Sequence, residues 1–71
     1  MGKRHFEFVA GTSSKFWEVE VNGNEVTTHW GRIGTAGQSK TKSFADAEKA
    51  SAAAAKLVAE KTKEGYVEKG A

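Results

Sequence analysis

The sequence is 71 residues long, contains neither cysteine nor proline, and carries a formal net charge of +2. A chain of this length buries only about 60% of the surface that its unfolded form exposes, so we expect one domain, residues 1–71, with one modest core. Without cysteine it cannot form a disulfide or a thiolate zinc site, and two histidines alone do not make a metal site. No apolar run reaches the roughly 20 residues that span a bilayer, and the basic N-terminus lacks the apolar segment of a secretory signal. We therefore expect a cytoplasmic monomer that binds no membrane, metal or cofactor.

The residues before Ser43 form short runs in which apolar and polar side chains alternate, a pattern typical of β-strands. The predicted strands are Arg4–Ala10, Lys15–Val21, Val26–Trp30 and a short polar edge strand, Gln38–Lys42. Alternation puts the apolar side chains of each strand on one face, which predicts a sheet with one buried side.

The dipeptide Asn22-Gly23 predicts a two-residue hairpin turn of type I′, because both residues tolerate the positive φ angles that this turn requires. In that register Val19 lies opposite Val26. The same register places two glutamates opposite each other, which is unfavourable, so a longer loop that includes Asn24 is the alternative.

The alanine-, lysine- and glutamate-rich segment that follows predicts one long helix from about Phe44 to Glu64. Ser43 and Asp46 match a capping box at its start, and Gly65 fits the C′ position, from which Tyr66 can fold back onto the last turn. The apolar stripe of the helix consists of Ala47, Ala50, Ala54, Leu57 and Val58. The predicted fold class is α+β: an antiparallel sheet of about four strands with one long C-terminal helix packed on one face.

No residue pattern points to catalysis. The segment 11–15 carries one glycine and a lysine but lacks the spacing of a phosphate-binding loop, and the glycines of the segment 31–37 lack the dinucleotide-binding fingerprint. Glu18 and Glu20 share one strand face and are interpreted as solvated charges. We expect that the chain is not an enzyme.

The triplet Trp30, Gly31 and Arg32 has the chemistry of a nucleic-acid contact. A tryptophan ring can lie against a sugar or base, glycine permits close backbone approach, and arginine can direct two donors at phosphate oxygens. The structural alternative is that Trp30 completes the apolar face and Arg32 pairs with a glutamate. Further phosphate contacts are predicted from Lys40, Lys42, Lys61 and Lys63.

Four blocks of the sequence resemble a WGR domain, a family named for the triplet that stands here at positions 30–32. The blocks are Phe16–Val21, Trp30–Gln38, Lys42–Phe44 and Glu60–Tyr66. The resemblance runs from about Phe6 to Glu68. It looks most like bacterial WGR domains, including those of molybdate-metabolism-regulator-like proteins.

WGR domains also occur in the DNA-dependent poly(ADP-ribose) polymerases, where they bind DNA near strand breaks. There the tryptophan packs against the sugar of a terminal nucleotide and the arginine relays binding to other domains. The resemblance therefore implies a non-catalytic module that binds nucleic acid, with DNA ends or nicks as ligand and Trp30 and Arg32 at its centre. Thr28 stands where the polymerases usually have a basic residue, so that contact is not expected. The alternative function is a protein-interaction module in a bacterial regulatory protein, using the same aromatic and arginine surface.

Overall fold

The computed structural model describes residues 3–69, which form an antiparallel sheet with one helix. In chain order the elements are β1 (Arg4–Ala10), β2 (Ser13–Asn22), β3 (Glu25–Arg32), β4 (Gln38–Ser43), α1 (Ala47–Glu64) and β5 (Val67–Lys69). The strand order in the sheet is β4-β3-β2-β1-β5. The α+β class is confirmed. The sheet has a fifth strand beyond the four predicted, because the short segment after the helix returns to pair with β1.

The hairpin between β2 and β3 turns one residue later than predicted. Asn22 pairs with Glu25, so Gly23 and Asn24 form a two-residue turn, and Gly23 alone has a positive φ, of 64°. Glycine at the first central position is the pattern of a type II′ turn, not type I′. The register therefore shifts by two, and Val19 lies opposite Thr28 instead of Val26. Because the shift is even, every side chain keeps its predicted face.

Helix α1 packs on one side of the sheet, against β2 and β3; we call this side the helix face. Its core consists of Phe6, Trp17, Val19, Val26, Ala50 and Ala54. Leu57 and Val58 are partly buried against this core, as predicted. Ala47 is exposed, contrary to prediction, because it is the first helical residue and burial begins one turn later, at Ala50. Within residues 3–69 no helix is long and apolar enough to cross a membrane.

The predicted cap at the start of α1 was wrong, and the predicted cap at its end was correct. The N-cap is Asp46, whose carboxylate accepts the backbone N–H of Lys49 at 2.8 Å. Ser43 instead ends strand β4, so the predicted capping box does not form. At the other end Gly65 adopts the left-handed conformation, and the N–H of Tyr66 donates to the carbonyl of Lys61 at 3.0 Å. This is a Schellman motif, and it brings Tyr66 back over the last turn as predicted.

Candidate nucleic-acid interface

A surface pocket of about 260 Å³ opens where β3 ends. It is lined by Lys15, Phe16, Trp17, Trp30, Gly31, Arg32, Lys61 and Tyr66. The structure thus brings the triplet together with Lys61, one of the four predicted lysines. It also adds Lys15 and Tyr66, which the sequence had not marked as site residues.

Two tryptophans line the inner part of the pocket. Trp17 and Trp30 are directly opposite each other on β2 and β3, so they share the helix face. Trp17 is only 4% exposed, and its ring lies 5.5 Å from that of Phe6. Trp30 is half-buried and packs against the same core. The ring of Trp30 therefore stabilises the core and still presents an accessible part to the pocket.

Three cationic side chains line the same pocket: Lys15, Arg32 and Lys61. The Lys61 ammonium lies 5.8 Å from the ring centre of Trp17 and 5.3 Å from that of Tyr66, and 3.7 Å from a Glu64 carboxylate oxygen. Lys15 is directly opposite Arg32, and both are exposed. Neither forms an ion pair with any residue between 3 and 69. The alternative in which Arg32 pairs with a glutamate is therefore not found in the described part of the chain.

The other predicted lysines lie outside this pocket. Lys40 and Lys42 are exposed on edge strand β4, where they pair with Thr28 and Val26, nearer the β2–β3 turn. Lys63 is exposed in the last turn of the helix. Their contact with phosphate stays a prediction. Lys15 was missed because only the register of β2 against β3 shows that it stands beside Arg32.

Gly31 occupies its position for a reason internal to the protein. By strand alternation its missing side chain belongs to the side of the sheet away from the helix, which we call the open face; Phe16, Glu18 and His29 lie there. A Cβ atom on Gly31 would lie 2.7 Å from the Cα of Gly37, in the turn that follows β3. The glycine lets that turn fold closely over the sheet.

Hydrogen bonds on the open face also stabilise the turn that follows β3. His29 contacts Glu18 through Nδ1 at 2.9 Å and the carbonyl of Ala36 through Nε2 at 2.5 Å. Glu18 also contacts His5 Nδ1 at 2.7 Å, and the other ring nitrogen of His5 contacts Glu7 at 2.9 Å. We call His5, Glu7, Glu18, His29 and the Ala36 carbonyl the histidine network. Glu18 is thus a half-buried hydrogen-bond centre, not the solvated charge that the sequence suggested.

These contacts shift three pKa values. Because both nitrogens of each ring face an acceptor, the network favours the protonated imidazolium. The hydrogen bond with Glu18, and then the Ala36 carbonyl, raises the pKa of His29; Glu7 and then Glu18 raise the pKa of His5. Burial alone would raise the pKa of Glu18, but the hydrogen bonds with His29 and His5 lower it below its ordinary value. Among residues 3–69 no three histidine, aspartate or glutamate side chains are arranged to hold a metal ion.

The fold and the pocket define a small α+β domain with an aromatic and basic site at one end of its sheet. The family model of the WGR domain matches residues 2–71. The chain belongs to the WGR family, which confirms the resemblance drawn from its motifs.

Curated relatives and a solved structure agree with this family. The chain is 54% identical over 65 residues to protein YehF of Escherichia coli, covering 92% of this chain and 24% of that protein. It is 35% identical over 66 residues to YfeS of the same organism, covering 93% of this chain and 27% of that protein. A crystal structure of a Bacteroides fragilis protein matches with a TM-score of 0.94 and 48% identity, over 97% of this chain and 20% of that one. The chain thus spans about a quarter of the length of these curated relatives.

Proposed function

We propose that this chain is a non-catalytic module that binds DNA at ends or nicks through the pocket around Trp30 and Arg32. The observation that carries the proposal is a partly exposed tryptophan ring with three cationic side chains, Lys15, Arg32 and Lys61, around it. Membership of the WGR family supports it, since the family resemblance implies nucleic-acid binding.

Each part of the pocket has a matching part in a nucleotide. The exposed portion of the Trp30 ring offers an apolar surface for a sugar or base, and Arg32 offers planar donors for phosphate oxygens. In a continuous duplex each base face is covered by stacking on its neighbours, whereas the last nucleotide of a strand has a base face and the adjoining edge of its sugar without a stacked neighbour. This difference favours ends and nicks over intact duplex.

The proposal is tested by titrating the protein against a labelled duplex with and without a nick, at two salt concentrations. Arg32→Ala should weaken binding by about 1.5–3 kcal/mol, which is roughly 10- to 150-fold, because a charge-assisted contact is lost. Arg32 is exposed and forms no ion pair within residues 3–69, so its removal should not lower the thermal midpoint. The matched control is Lys56→Ala, which removes one exposed charge on the helix, away from the pocket.

The same titration distinguishes DNA binding from the alternative function, a protein-interaction module. Phosphate binding weakens steeply as salt rises, because neutralised phosphates release their counterions, whereas an apolar protein interface does not. Equal losses for Arg32→Ala and Lys56→Ala would indicate diffuse attraction without a site. Failure of the unmodified protein to bind either duplex would leave the protein-interaction module as the better hypothesis.

A further inference from the structure

We propose that Lys15 and Arg32 bind the same phosphate group of the DNA backbone. The anion site then consists of Arg32 from the triplet on β3 and Lys15 from the start of β2. This inference rests on the proposed function and adds a binding residue that no motif of the sequence marked.

The register of β2 and β3 carries the argument. Lys15 and Arg32 are a directly opposed pair on the helix face. The Cβ atoms of such pairs lie about 4.5–5.5 Å apart, so both side chains reach the same small anion. Two like charges in this position repel each other and destabilise the sheet. Among residues 3–69 no carboxylate forms an ion pair with either side chain. A phosphate between them would replace this repulsion with two attractions.

The backbone beneath the pair is fixed in place. The carbonyl of Arg32 accepts the N–H of Thr35 at 3.0 Å and its hydroxyl at 2.7 Å. The N–H of Ile33 donates to the carbonyl of Ser14 at 3.0 Å, which continues the pairing of β2 and β3 past the pair. The backbone positions of Lys15 and Arg32 are therefore held opposite each other, and neither side chain has a compensating charge within residues 3–69.

The present contact of Lys15 does not compete strongly with a phosphate. Its ammonium lies 5.8 Å from the ring centre of Phe8, and Lys15 is exposed. A cation–π contact at an exposed site is weak, so the flexible side chain can leave it for a phosphate. Lys61 is held differently: it lies between two aromatic rings and near Glu64. Lys15 is thus the cation best placed to join Arg32.

The first experiment measures the affinity for a nicked duplex across a series of salt concentrations. Lys15→Gln should weaken binding about tenfold, as expected for a lost charge-assisted contact. It should also reduce the slope of log affinity against log salt by about one. Lys56→Gln is the control and should change neither quantity beyond a small general effect. The double variant with Arg32→Gln should lose less than the product of the single losses, because both side chains act on the same phosphate.

The second experiment separates binding from folding. Lys15→Glu converts the opposed pair into an ion pair, so the thermal midpoint of the free protein should rise while DNA binding falls further than in Lys15→Gln. A residue with only a structural role would not move the two quantities in opposite directions.

The outcomes distinguish the two proposals. If Arg32→Gln weakens binding and Lys15→Gln matches Lys56→Gln in affinity and salt slope, the shared phosphate site is wrong and the proposed function stands. If Lys15→Glu lowers the thermal midpoint, the like-charge argument is wrong. If the unmodified protein binds nicked DNA no better than a peptide of the same net charge, +2, both proposals are overturned.

Discussion

Replacing Gly31 with alanine tests whether the middle residue of the triplet serves the fold or the ligand. An added Cβ would lie 2.7 Å from the Cα of Gly37 and 3.4 Å from a ring carbon of Phe16. The first distance is too short for two carbon atoms, and since the opposing atom is backbone, the turn after β3 must shift. The new methyl group would stand on the open face, away from Trp30 and Arg32.

Two opposing effects set the change in the free energy of unfolding that Gly31→Ala causes. In a strand without steric conflict, alanine is more stable than glycine by about 0.5–1 kcal/mol, because glycine loses more backbone entropy on folding. Overpacking of a close contact costs about 1–3 kcal/mol. The difference is a net loss of up to about 2.5 kcal/mol, which for a domain of this size lowers the thermal midpoint by up to about 20 °C.

Thermal and urea unfolding, followed by circular dichroism and by tryptophan fluorescence, measure this change. A midpoint that rises would refute the reasoning, because it would mean that the methyl group meets no steric conflict and only the backbone-entropy gain remains. DNA affinity is measured at a temperature where both proteins are folded, and we expect it to fall together with stability, because the turn that must shift also holds the carbonyl of Arg32 through Thr35. Loss of affinity with intact stability would show that Gly31 contacts the ligand instead.

Two further predictions concern the core and the histidine network. Ala50 has no exposed surface, whereas Ala54 borders a groove of about 200 Å³ between helix and sheet. In urea unfolding, Ala50→Leu should therefore cost about 1–3 kcal/mol by overpacking, and Ala54→Leu should cost less; the reverse order would contradict the packing. The pKa values of His5 and His29 are raised in the folded protein. They contribute stability that is complete below the ordinary histidine pKa of 6.5 and is lost as pH rises through the raised values. The pKa of Glu18 is lowered, and its contribution is present above the ordinary value of 4.5 and is lost as pH falls through the lowered value. The thermal midpoint should thus be highest between about pH 4.5 and 6.5, and Glu18→Gln should flatten both sides of the profile; an unchanged profile would show that the network does not control stability.

The sheet was predictable because strand alternation specifies which side chains share a face. The register was not, since the sequence Asn22-Gly23-Asn24 allows a turn at either dipeptide. The observed turn avoids placing Glu20 opposite Glu25 and sets Glu20 against Thr27. The like-charge conflict noticed in the sequence was therefore a valid objection, although its solution was a shifted turn and not a longer loop.

The start of the helix shows the limit of a short motif. Ser43 and Asp46 have the spacing of a capping box, but Asp46 is itself a strong N-cap residue. Contacts outside the motif decide whether Ser43 or Asp46 caps the helix. The N–H of Phe44 donates to the carbonyl of Asn24, and the Asn24 side chain donates to the carbonyl of Phe44, at 2.8 and 2.7 Å. These contacts hold the chain against the β2–β3 turn, so the helix begins after Asp46.

The sequence revealed the triplet but not the residues from other elements that line the same pocket. Trp30, Gly31 and Arg32 are adjacent in sequence, so a local motif reveals them. Lys15 joins them only through strand pairing, and Tyr66 only through the path of the helix. Both depend on contacts between residues far apart in the chain, for which a single sequence gives no signal.

Strand alternation explains why tryptophan and arginine are separated by a glycine. Residues two apart on a strand share a face, so Trp30 and Arg32 both reach the pocket on the helix face, and the residue between them belongs to the open face. Any side chain there would obstruct the turn that carries Gly37. That turn also supplies Thr35, whose two hydrogen bonds fix the carbonyl of Arg32. The glycine thus acts on the pocket indirectly: it allows the turn to close behind the strand, and the closed turn fixes the backbone of Arg32, the residue for which we propose a phosphate contact.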